Sequence, residues 1–173
     1  MFDLTKLQHQ HELVRLTIAD QAFSGYIRSV QDDQAVMILV SKTGHPDGWL
    51  WLNTDKIQAI DSQTPDLALQ ASFIDIYRHR QPSFDPQQLP VPAITLHDWL
   101  RLANDRQTML YLGLAHTSEW ATVSQKKTQT TISHYHLDAL DQPERHPLEA
   151  AQVQFIVSGT EYLSLLNQVR LTD

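Results

Sequence analysis

The sequence predicts an α+β protein, predominantly β, with a small antiparallel barrel at the N-terminus and an α+β module at the C-terminus. Three observations point there. Five short runs rich in β-branched and aromatic residues crowd the first third of the chain. Four of the 8 prolines, Pro82, Pro86, Pro90 and Pro92, fall within residues 80–93. Beyond them, two helix-start signatures flank a second set of strand-like runs.

The first five runs are LVRLTIA (13–19), FSGYIRSV (23–30), AVMILVS (35–41), GWLWLN (48–53) and KIQAID (56–61). Asp32-Asp33 makes a tight connection between the second and third, and TGHPDG (43–48) a longer loop between the third and fourth. Thr64 and Pro65 fit the N-cap and first position of a helix, which the pattern carries to about Gln70. SFIDIYRH (72–79) alternates apolar and polar residues, as expected of a sixth strand. The proline-rich segment then cannot continue a helix or a central strand, because proline fixes φ and lacks an N–H. It divides the chain into a barrel domain (1–79), a linker (80–93) and an α+β domain (94–173), the alternative being one α+β domain crossed by the linker.

In the second half Thr95 and Asp98 form a variant capping box, and Leu96, Trp99, Leu100 and Ala103 recur at helical spacing to about Asn104-Asp105. TMLYLGLA (108–115), WATVSQ (120–125), TTISHYHLD (130–138) and AQVQFIVS (151–158) read as strands. Ser158-Gly159-Thr160-Glu161 opens a last helix with Tyr162, Leu165, Leu166 and Val169 as its apolar stripe. No residue-level repeat links the halves.

With 42% hydrophobic and 19% charged residues, the composition is that of a folded chain with a packed core. The chain has no cysteine, which fits a cytoplasmic setting and leaves only His, Asp and Glu as strong metal ligands. Neither a bilayer-spanning apolar run nor a signal-peptide pattern is visible, so no membrane partner is expected. A formal net charge of −7 opposes binding to phosphates, so nucleic acid is disfavoured as a partner.

The stretch SHYHLD (133–138) carries the sharpest chemical signal. On an extended strand His134, His136 and Asp138 share one face, a geometric route to a zinc-type site, with a metal-binding protein or metal-dependent enzyme as the functional consequence. The plain alternative is a half-exposed strand with no cofactor. His146, between Pro143 and Pro147, is expected in a surface loop. Known His-x-His patterns do not extend to this chain: no glycine stands between Gly113 and Gly159, as a cupin requires, and 173 residues are too few for an amidohydrolase barrel. Gly-x-Ser-x-Gly and Gly-x-Gly sequences are likewise absent, so neither a hydrolase elbow nor a phosphate loop is indicated. Trp49 and Trp51 point to one side of their strand. With Tyr26 they are candidates for a stacking platform, against the commoner role of core aromatics.

The run GYIRSVQDDQAVMIL, followed by GWLWLNTDKIQAI, resembles the bent five-stranded barrels of the Sm-like and SH3-like kind over residues 13–61. An Sm-like resemblance implies ring assembly and RNA binding. Here, though, Asp33 is followed by Gln34-Ala35-Val36-Met37-Ile38 where the family has Asp-x-x-Met-Asn, and Asp55-Lys56 replaces its Arg-Gly. What the resemblance implies is therefore fold. The sequence as a whole points to a non-catalytic protein-interaction or self-assembly module, with a metal protein as first alternative and an RNA-binding barrel as second.

Overall fold

The structure, a computed structural model, describes residues 3–80, 85, 86, 88–126 and 129–172. It opens with helix α1 (Leu4–Gln10), which the sequence reading passes over. Asp3 caps it by accepting from the Lys6 N–H at 2.9 Å, and His11 ends it in the left-handed region. Strands β1 (Leu13–Ile18), β2 (Gln21–Gln31), β3 (Gln34–Val40), β4 (Pro46–Asn53) and β5 (Ile57–Ser62) follow, close to the predicted runs. The Asp32-Asp33 connection is the expected two-residue turn, with Gln31 opposite Gln34. The third loop is shorter than expected because β4 already begins at Pro46.

Helix α2 (Pro65–Arg80) corrects the next expectation: there is no strand at 72–79, and the helix runs through it. Leu67, Gln70 and Ile74 form its buried row at helical spacing, so the decisive period is 3.6 and not 2. The linker expectation falls partly outside the described residues, at 81–84 and 87. Of the rest, Leu89 packs on the first half, while Val91 and Ala93 pack on the second. Helix α3 (Leu96–Arg106) starts at the predicted cap, the Asp98 N–H donating to Thr95 Oγ1 at 3.2 Å. Strands β6 (Leu110–Leu114), β7 (Ser118–Lys126), β8 (Gln129–His136), β9 (Ala139–Pro147) and β10 (Val153–Ser158) precede helix α4 (Glu161–Thr172). The expected surface loop around His146 is strand β9. Its two prolines are tolerated because it lies at a sheet edge. On α4 it is Leu163 that is buried, with Leu166 packed beside it. Tyr162, Leu165 and Val169 of the predicted stripe are about half exposed.

The strands do not close into a separate barrel. They form one open antiparallel sheet in the order β5-β1-β2-β3-β4-β10-β6-β7-β8-β9, because the far edge of β4 is taken by β10 and not by β5. That order contains the same unit twice: helix, four-strand meander, a 3-10 turn (Thr54–Lys56 or Ala150–Gln152), a fifth strand returning to the first, and a helix. Even an irregularity recurs. Ile57 stands opposite Ile18 and Val153 opposite Leu114, each followed by a register shift.

The repeated units bury opposite faces of the sheet. Val14, Leu16 and Ile18 of β1 point into the core beneath α1, whereas their counterparts Leu110, Leu112 and Leu114 of β6 point into the core beneath α3. At the junction each unit completes the other. Phe155 and Val157 of β10 enter the first core, while Val36 and Trp51 of β3 and β4 enter the second. Buried apolar side chains contribute on the order of 1.5–3 kcal/mol each, so the junction is a principal element of the fold.

Candidate functional site

Two features have a form that packing alone does not require: the free sheet edges and the histidine cluster. The edges are β5 and β9. In the repeat they correspond to the two strands that meet inside the chain, since β10 is the counterpart of β5 and β4 the counterpart of β9. The inner junction pairs Trp49–Leu52 with Ser158–Phe155 antiparallel. The two free edges differ in chemistry. On β9 the Leu148 N–H that follows turns toward Thr130 O at 2.9 Å, so Pro147, one residue earlier, lies on the outer side with no N–H to offer. No proline interrupts β5, whose Gln58 and Asp61 are exposed.

The cluster lies on β7, β8 and β9. Register puts Glu119, Ala121 and Val123 on the face shared by Ile132, His134 and His136, and by Glu144 and His146. His134 Nδ1 comes within 3.4 Å of Glu119 Oε2 and His146 Nε2 within 3.5 Å of the same oxygen. The Glu119 side chain is only 4% exposed, against 22% for His134 and 40% for His146. Its Oε2 is fully buried and makes no hydrogen bond among the described residues. Farther out, His136 approaches Glu144 at 3.9 Å, and ligand atoms of His134, His136 and Glu144 all lie within 4.8 Å of one another. Asp138, expected on the same strand face, instead stands in the β8–β9 turn, because β8 ends at His136.

The aromatic candidates are not brought together on an open face. Tyr26 is 6% exposed and Trp51 2%; burial pushes the Tyr26 hydroxyl pKa up, and the Trp51 indole donates to Gln34 Oε1 at 3.2 Å. Trp49 alone borders open space, in a cleft of about 400 Å³ with Leu89, Pro92, Trp99 and Arg106.

Glu119 and His146 escape the sequence reading because nothing local joins them to His134. One signal was available: Glu119 holds the alternate position that Ala121 and Val123 mark as inward, a carboxylate where the pattern calls for an apolar residue. Compared with known proteins, the chain matches no family model, no curated protein and no solved structure.

Proposed function

We propose that the chain is a non-catalytic assembly module, two bent sheets of the small-barrel kind fused in tandem, which joins a protein partner by adding strands at its β5 edge. The observation that carries this reading is the β4–β10 contact. It is heterologous: one edge of a unit meets the opposite edge of a like unit, as copies of a single unit would meet in an assembly. Between two units such a contact leaves two edges over. Pro143 and Pro147 blunt the one on β9, while the one on β5 keeps its backbone groups for another strand. A second copy of this chain is the partner that the edge suits, giving a two-fold dimer through antiparallel β5 strands. The resemblance of residues 13–61 to Sm-like and SH3-like barrels supports the same reading.

Light scattering after size exclusion, over a hundredfold range of concentration, tests it. The expected result is a dimer that reverts to monomer in Gln58→Lys/Asp61→Lys, two exposed changes that put like charges on the edge. A strict monomer throughout, or a dimer indifferent to both lysines, would count against assembly through β5.

A further inference from the structure

On the sheet face opposite the histidine cluster, the second unit holds a polar cleft where the first holds an apolar core. The spacing that matches Leu16 with Leu112 and Ile57 with Val153 also matches Leu67 of α2 with Leu163 of α4, both buried. Strand register then matches the pairs Tyr26–Ile38 and Ile38–Trp49 with Thr122–Ser133 and Ser133–Arg145, and the helices match Ile74 with Arg170. In the first unit Tyr26, Ile38 and Ile74 are buried together beneath α2, with Trp49 packed against them. At those places the second unit has two hydroxyls and two guanidinium groups.

The cleft has a volume of about 480 Å³, within the range of small-molecule sites. Thr122, Ser133 and Tyr135 line it with hydroxyls, and Lys126, Arg145 and Arg170 with positive charge. Among the described residues no carboxylate lines it, and none of the three cations has an ion pair. Acids outnumber bases 20 to 13 in this chain, so three cations without an acid are not what an even scatter of charge produces. Arg170 is held in place by neutral partners: its Nε and Nη2 donate to Asn167 Oδ1 at 3.3 and 2.9 Å, and Nη2 donates also to Gln107 O at 3.2 Å. Its Nη1 reaches the Tyr135 hydroxyl at 3.5 Å. Its charge is thus positioned and not cancelled. The Thr122 and Tyr135 hydroxyls, both buried, share one hydrogen bond at 3.3 Å. Two hydroxyls carry two protons, so one remains to be donated to a ligand.

We propose that this cleft binds a small anion through a phosphate group, with Arg145 and Arg170 pairing with its oxygens, Lys126 adding charge, and Ser133 and the Thr122–Tyr135 pair supplying hydroxyl contacts. Three unpaired cations suit a group that carries about −1.5 to −2 at neutral pH better than they suit a single carboxylate. The net charge of −7 repels an extended polyanion, so the ligand is a small molecule and not nucleic acid. The site is independent of assembly through β5, which lies at the other end of the sheet.

Inorganic phosphate is the probe, titrated into the full chain at constant ionic strength and followed by calorimetry and heteronuclear NMR. One phosphate per chain is expected, with shifts in the Arg145 and Arg170 Nε–H signals and in the amides of Thr122 and Ser133. Arg145→Gln, an exposed change on an edge strand, should weaken binding at least about tenfold, and Ser133→Ala about threefold. Arg101→Gln makes the same change of net charge outside the cleft and should leave binding as it is. No phosphate binding by the parent chain would overturn the proposal. So would an equal loss in Arg145→Gln and Arg101→Gln, since binding would then report net charge alone. Succinate bound more tightly than phosphate, with the same signals shifting, would overturn the assignment of a phosphate group.

Discussion

Asp66 shows how one residue couples a helix start to a neighbouring strand. The Thr64 hydroxyl donates to its Oδ1 at 2.6 Å and the Arg15 guanidinium of β1 pairs with Oδ2. The Thr64 bond first, and Arg15 after it, hold the carboxyl at about 2 against an ordinary 3.8. Both partners favour the ionised form, so a carboxyl whose pKa is depressed by folding contributes stability above the ordinary value. The contribution is lost as pH falls from about 4 to about 2. In a side-chain carbon NMR titration, Thr64→Ala should return the Asp66 midpoint toward 3.8, and Arg15→Met should move it by less. A parent midpoint already near 3.8 would contradict the arrangement.

At the scale of elements, α2 is held by a polar residue in its buried row. Gln70 Nε2 donates to Val40 O at 3.0 Å and to Ser41 O at 2.8 Å, so the helix satisfies two carbonyls where β3 ends. Gln70→Leu keeps the bulk and abandons both acceptors. It should cost about 1–3 kcal/mol, read as a lower urea midpoint at unchanged slope; a neutral result would mean that the carbonyls find water. The same glutamine explains why the sequence misleads here. A polar residue in the inward row interrupts the helical apolar period, while Ile76, about half exposed, stands two residues from the buried Ile74 across Asp75 and supplies a false alternation. Where each unit carries its own apolar signal, as in β1 to β5 and in α3, the elements are legible from sequence alone. Strand β9 is not, because an edge strand buries too little to need a pattern. The histidine cluster is half legible for a related reason. His134 and His136 lie two residues apart, but Glu119 and His146 join them only through strand register, which no local window contains.

The whole molecule follows from the turning over of the sheet between its two halves. Since β10 belongs to the second unit by chain order and to the first core by its Phe155 side chain, neither unit has a complete interior alone. The Phe155 ring also packs edge to face with Phe23 of β2, at 5.1 Å between centroids, and fills the space that a Cβ on Gly113 would enter. Truncation to alanine therefore opens a cavity at the point where both units meet and should cost about 3–5 kcal/mol. The expected signature is cooperative: amide exchange in β2 and in β7 should accelerate by the same factor, and unfolding should remain a single transition at a lower midpoint. If the halves were independent, the variant would loosen β2 and leave β7 protected as before. Equal loosening would mean that the internal strand-edge contact makes one folding unit out of two similar ones, and that any assembly through β5 starts from a rigid tandem.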